Sequence, residues 1–218
     1  TGQGWMAYLK DLARAEGVAE PTAEQARRLD RRRKGKKVSN DDWHNPHDPD
    51  ARITKMKDGT TGLAYKAEHA VDLDTGAIVA ATVAPGDTGD TASIGVTVLE
   101  AQNHMEAAGV EVGSTAAVAD KGYHGAESVA QLQEWGIRTY VAEPQIGPRR
   151  WEDKPAEQQR AFRANRRRVR GERGKALQRR RSEITERAFA HVCETGGGRR
   201  AWVRGLEQVA KLHLMRCM

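Results

Sequence analysis

Apolar residues recur at helical spacing near the start of the chain, where Trp5, Leu9 and Leu12 predict an amphipathic helix over 5–16 that Gly17 ends. Pro21 and Thr22 open a second helix running to about Lys34, with Gly35 as its stop. The stretch from Val38 to Pro49, carrying Asn40, Asp41, Asn45, Pro46 and Pro49, reads as loop, and no strand pattern precedes residue 51. The pattern then changes. Ala64–Asp72 and Ala77–Ala84 are β-prone and joined by Asp74-Thr75-Gly76, which predicts an antiparallel hairpin. Pro85-Gly86-Asp87 breaks the second strand. Ile94, Val98, Ala101 and Met105 then mark a crossover helix within Thr91–Ala108, closed by Gly109. Ser114–Ala119 is a short buried strand ending at Asp120, Gly125–Trp135 a helix closed by Gly136, and Arg138–Ala142 a further strand. A basic helical stretch follows, then a helix over Arg181–Cys193 before Gly196-Gly197-Gly198. The order predicts one mixed α/β sheet covered by helices.

At 218 residues the chain is long enough for one large domain and a second, smaller segment. Its 38% hydrophobic and 30% charged residues suit a polar globular protein. No apolar run approaches the ~18 residues of a membrane span and no signal-peptide pattern opens the chain, which points to the cytoplasm and away from membranes. Cys193 and Cys217 lack metal-ligand partners at useful spacing, as in a reduced cytoplasmic protein. The first residue is Thr1, which raises the expectation of a fragment.

The net charge of +6 is unevenly distributed. Residues 27–37 hold eight basic residues against Asp30, and residues 149–181 hold fourteen against Glu152, Asp153, Glu157 and Glu172. These segments are locally +7 and +10, so the remainder is −11. Separated charge of this kind, dominated by arginine, favours contact with phosphate backbones over a merely solvated helical face.

The candidate chemistry begins at Asp120, at the carboxyl end of a strand and followed by Lys121-Gly122-Tyr123-His124-Gly125. Strand ends of this type are where α/β sheets hold ligands, and glycines there let backbone approach closely. In the late helix, Glu183, Glu186, Arg187 and Ala190 form a polar stripe opposite Ile184, Ala188 and Val192. A glutamate on that stripe is placed to lean over the sheet edge beside Asp120. Two such carboxylates suit hard divalent ions straddling a phosphodiester. Taken alone, Asp120 reads equally as a turn or helix cap, and Glu186 as a surface glutamate.

Four strings occur in order: Asp48-Pro49-Asp50-Ala51-Arg52, Tyr65 through Asp72, Val118-Ala119-Asp120-Lys121-Gly122-Tyr123, and Glu186-Arg187-Ala188-Phe189-Ala190-His191. Together they resemble bacterial insertion-sequence transposases with an RNase-H-like, retroviral-integrase-like DDE domain. The resemblance implies an RNase-H-like mixed sheet flanked by helices, with an N-terminal helical segment and an arginine-rich helical insertion. It further implies that Asp120 and Glu186 are the second and third catalytic acids and ligate Mg²⁺, or Mn²⁺ in its place. The implied reaction is cleavage at transposon ends followed by strand transfer into target DNA, by an assembled homo-oligomer.

The resemblance places the first acid on the first of three antiparallel strands preceding the crossover helix. Only two are predicted here, so the expectation is that the first strand and its aspartate lie upstream of Thr1. Asp50 and Asp72 are the internal alternatives, and Glu183 the alternative to Glu186. The relatives' Tyr, Arg and Lys around the glutamate are replaced by Arg179, Ser182 and Cys193, leaving Arg199 and Arg200 as substitutes for the lysine. The expected organisation is a basic helical segment and loop over 1–50, the core lacking its first strand over 51–145, the arginine-rich insertion over 146–181, and C-terminal helices carrying Glu186 over 182–218. Lys121, Tyr123 and His124 are placed by sequence to touch DNA, with Arg166, Arg167, Arg168, Arg170 and Arg187 on phosphates. His44 and His47 read as loop histidines, Trp151 and Trp202 as core anchors, and the triple glycine as a helix stop. A nucleic-acid-binding remnant without catalysis and an unrelated metal-dependent nuclease are the competing readings.

Overall fold

The computed structural model describes residues 2–33, 40, 44–56, 59–110, 115–145, 147 and 151–218. Lys34, Gly35 and residues 38, 39 and 41–43 of the expected loop lie outside these residues, as does the side chain of Trp5. The chain divides into two compact units: residues 1–66, 84–87 and 202–209, and residues 67–83, 88–201 and 210–218.

In the first unit, α1 (Gly2–Ala15) and α2 (Ala23–Arg32) pack through buried Leu9, Ala13 and Ala26. Thr22 and Gln25 form a reciprocal capping box, in which each side-chain oxygen accepts from the other's backbone N–H, meeting donors that the start of α2 leaves unpaired. Strand β1 (Arg52–Lys55) pairs antiparallel with the beginning of β2 (Thr61–Val71), in register from Arg52 against Ala64 to Lys55 against Thr61. The outer edge of β1 is met by a side chain. Asn40 accepts from the Ile53 N–H at 2.7 Å and donates to the Ile53 carbonyl at 2.9 Å, standing in for a strand.

β3 (Ile78–Pro85) returns beside β2, giving a three-stranded sheet of order β1-β2-β3. Asp72 closes the turn, its Oδ2 accepting from the Thr75 N–H at 2.9 Å and the Thr75 hydroxyl at 2.6 Å. These bonds, chiefly that of the hydroxyl, hold the Asp72 carboxyl below its ordinary range.

The second unit adds α3 (Asp90–Ala107), β4 (Ala116–Ala119), a tight turn over Lys121–Tyr123, α4 (Ala126–Glu134) and β5 (Arg138–Val141). β4 and β5 are parallel and joined through α4, with Ala116 opposite Arg138 and Ala119 opposite Val141. α5 (Ala156–Arg170), α6 (Glu172–Glu194) and α7 (Leu206–Cys217) complete the chain. Ile94, Val129, Leu132, Ile137, Val141 and Ala161 form the core of this unit. The edge of β5 is closed as that of β1 is. Fully buried Asn165 on α5 accepts from the Val141 N–H at 2.9 Å and donates to its carbonyl at 2.8 Å.

Three expectations are corrected. Three strands precede α3 rather than two, because Arg52-Ile53-Thr54-Lys55, with one strongly apolar residue, is made a strand by pairing and by Asn40 rather than by hydrophobic alternation. The strands form two sheets rather than one, since β1 pairs only with residues 61–64 of β2 and β4 pairs only with β5 among the described residues. The helix expected from Arg181 begins at Glu172, because nothing after Gly171 interrupts it. At the junction of α5 and α6 a Cβ on Gly174 would lie 2.1 Å from the Arg168 carbonyl oxygen, so only glycine lets the two helices meet there.

Asn165→Ala leaves the buried N–H and carbonyl of Val141 unpaired, and the expected loss is about 2–5 kcal/mol in urea denaturation. A loss under ~0.5 kcal/mol would show that water replaces the amide.

Candidate catalytic site and nucleic-acid face

Asp120 caps the turn that leaves β4. Its Oδ1 accepts from the Lys121 N–H at 2.7 Å, and the side chain is exposed at the strand's carboxyl end. The turn is held from below by Tyr123, whose hydroxyl donates to Glu68 on β2 at 3.1 Å. Glu68 is 4% exposed and also accepts from the Ser93 hydroxyl at 2.6 Å and the Thr97 hydroxyl at 2.8 Å, both on α3. Three hydroxyl donors compensate the desolvation of this carboxylate. Burial, then the charges of Glu68 and Asp90, raises the Tyr123 phenol well above its ordinary value and keeps it a donor.

Asp90, the first residue of α3, leans over the same turn. A Cβ on Gly122 would fall 2.2 Å from its Oδ2, so the glycine leaves room for this carboxylate. Neither Glu68 nor Asp90 was singled out in the sequence. Glu68 sits in a strand whose pattern gives no sign that a charged position turns inward, and Asp90 reads as an ordinary first-turn helix acid.

The other candidate acids are placed as follows. Glu186 is exposed on α6 and accepts from the Ser182 hydroxyl at 2.8 Å, while Glu183 pairs with Arg187 at 2.6 Å. The residue of α6 that reaches the end of β4 is Gln178, which donates to the Ala119 carbonyl at 3.1 Å. Glu186 lies two helical turns beyond it, about 12 Å along the axis. Asp50 accepts from the Leu206 N–H at 2.9 Å at the start of α7, and Asp48 accepts from the Tyr65 hydroxyl and from the Gly205 N–H at 3.0 Å. Asp72 is engaged in its hairpin. Oxygen donors such as Asp120 and Glu186 suit Mg²⁺ in kind. In number they do not, since among the described residues no group of three His, Cys, Asp or Glu side chains converges at either one.

The basic residues fall into two sets. Lys121, Arg167, Arg170 and Arg187 are exposed, as are Arg163, Arg173 and Arg179. Arg166 instead forms a forked ion pair with Glu143 and lies over the Phe162 ring at 4.8 Å, and Arg168 donates to the Thr139 carbonyl at 2.8 Å. Tyr123 and His124 turn inward, His124 lying buried edge-on to Phe162. Trp151 packs on Phe162 with centroids 5.0 Å apart, whereas Trp202 is 75% exposed. The anchor reading of Trp202 is thereby corrected, because it lies in the bend between α6 and α7 and not on a helix face. His44 and His47 are exposed. The Gly196 and Gly198 N–H groups return to the carbonyls of His191 and Val192, closing α6.

The cysteine reading is also corrected. Cys217 has His213 one turn before it on α7, and both meet His69 of β2. The spacing of His213 and Cys217 was visible in the sequence, but the third member is 144 residues away from His213.

A mixed α/β chain of the RNase-H-like class, with an acid at the end of β4 and an arginine-rich helix pair, is what these features define. Residues 24–218 match the transposase DDE domain, and the chain belongs to that family. Neither the comparison with curated proteins nor that with solved structures gives a match. No helix among the described residues is long and apolar enough to cross a membrane.

Arg166, through its hydrogen bonds first, holds the Glu143 carboxyl below its ordinary range. A lowered folded-state value means that this pair's stabilisation is present above the ordinary carboxylate range and is lost as pH falls through the lowered one. Glu143→Gln is therefore expected to reduce stability at pH 7 and to flatten its decline in acid, read from denaturation midpoints between pH 7 and pH 3. An unchanged acid slope would sink the assignment.

Proposed function

We propose that this chain is the Asp120- and Glu186-bearing part of a DDE polynucleotidyl transferase that cleaves DNA at insertion-sequence ends and joins the freed hydroxyl to target DNA. The observation that carries the reading is Asp120 at the carboxyl end of β4, inside a family match covering residues 24–218. Three strands do precede α3, but β1 carries no acid, so in this reading the first acid comes from a further strand outside the chain. Two edges support it: residues 65–71 of β2 on the β1 side, and the edge of β4 away from β5, have no strand partner among the described residues. Bare edges of this kind are normally paired or covered.

The chain's own residues then have distinct tasks. Glu68 and Tyr123 fix the turn, and the Lys121 N–H orients the Asp120 carboxylate. Exposed Lys121, Arg167 and Arg170 meet phosphates. Asp120 and Glu186 would be the chain's own ligands to a divalent ion such as Mg²⁺, which would supply positive charge for phosphoryl transfer. The active assembly is a homo-oligomer on DNA in the cytoplasm. A second reading, a remnant that binds nucleic acid without cutting it, is favoured by the failure of a third ligand to converge on Asp120 or Glu186 among the described residues.

The test is Mg²⁺-dependent nicking of labelled transposon-end DNA by this chain, beside a version extended upstream by a strand. Nicking is expected in the extended form alone, falling ~100-fold or more in Asp120→Asn and in Glu186→Gln. Equal nicking in both forms would place the first acid within the chain, and binding without nicking in both would leave the remnant reading. Separately, Arg167→Ala and Arg170→Ala are each expected to weaken DNA binding irrespective of sequence, and to reduce the slope of log affinity against log salt by about 1. An unchanged slope removes that arginine from the phosphate face.

A further inference from the structure

Outside the acids and arginines, the second unit contains one convergence of soft donors among its described residues. His69 Nε2 and His213 Nε2 are 2.8 Å apart, and Cys217 Sγ is 3.4 Å from the first and 3.8 Å from the second. The rings are stacked with centroids 4.9 Å apart, Phe189 walls the His69 side at 5.0 Å, and His213 is buried. We propose that His69, His213 and Cys217 form a transition-metal site for Zn²⁺, with three protein ligands and a fourth position open to water.

The argument is geometric. Zinc bonds of ~2.05 Å to imidazole nitrogen and ~2.3 Å to thiolate, at tetrahedral angles, put the nitrogens about 3.3 Å apart and each nitrogen about 3.6 Å from sulfur. The observed triangle departs from this by at most about half an ångström per side. Side-chain rotation is enough to supply that difference. Three donor atoms from β2 and α7 already lie within 3.8 Å of one another, with His213 and Cys217 brought together by their one-turn spacing.

The donor set also selects the ion. Imidazole and thiolate favour zinc and its neighbours and disfavour Mg²⁺, which takes oxygen ligands. The site is therefore chemically separate from Asp120 and Glu186. Burial and the proximity of His213 lower the His69 imidazole to about 4, and burial lowers that of His213 as well. A metal takes both imidazoles in their neutral form. Binding then releases the Cys217 thiol proton and moves the proton shared between the two Nε2 atoms to the far ring nitrogen. A bound ion would fasten α7 to β2, in a unit where no disulfide can do so because both cysteines are free.

Titration of the metal-free full chain with Co²⁺, read by absorption, tests this directly. About one ion per chain is expected, with a thiolate-to-cobalt charge-transfer band in the near ultraviolet and strong tetrahedral bands in the visible, all bleached by Zn²⁺. The bands are expected to vanish in Cys217→Ser and to persist in Cys193→Ser, while His213→Ala and His69→Ala weaken binding at least ~10-fold. Circular dichroism of each metal-free variant confirms that it is folded. Absence of the bands in the parent chain, their survival in Cys217→Ser, or their loss in Cys193→Ser would each overturn the site.

Discussion

A carboxylate can be buried only where donors surround it, and Glu68 meets that condition with three hydroxyls drawn from α3 and from the turn after β4. The arrangement ties the middle of β2 to the helix that follows the hairpin and to the motif that presents Asp120. Each partner is held in turn. Thr97 also meets Thr82 of β3 at 2.8 Å, and Tyr123 packs against the core formed by Ile94, Val129 and Leu132. The position of the exposed acid is thus decided by a concealed one.

Much of this order is written in apolar spacing. α1, α3 and α4 and the strands β2 to β5 follow from positions such as Ile94, Val98 and Ala101, because burying one face is what makes those segments regular. β1 is different, since its strand character comes from partners and not from its own side chains. The same holds for Asn40 and Asn165, polar residues that complete β1 and β5 by acting as backbone. Such roles depend on which strand edge is left bare after folding, and no local pattern carries that information. Asp120 was legible because a short apolar run ending in an acid and two glycines is itself a local signal. Glu68 and Asp90 were not, because their importance lies in contacts 25 to 55 residues away in the chain.

Charge counting showed the arginine-rich region without showing its two uses. Arg166 and Arg168 are drawn in by Glu143 and by the Thr139 carbonyl, and Arg180 reaches Asp74 at 3.1 Å. Arg163, Arg167 and Arg170 remain on the opposite side of α5 from Phe162 and Asn165, at spacings of four and three that set them in one row. A region that looks uniform in composition is therefore half scaffold and half surface. The scaffold half explains how a helix so poor in apolar residues stays docked on β5.

The unbroken course of α6 has a mechanical meaning. Its 23 residues begin at the tight Gly171–Gly174 junction, pass the arginines at 179–181 and carry Glu186 about 22 Å from that junction. Gln178, donating to the Ala119 and Tyr140 carbonyls, fastens the rod to the ends of β4 and β5 one residue before those arginines. A phosphate gripped by the arginines therefore pulls on the same rigid rod, just beyond its anchor, that carries the glutamate.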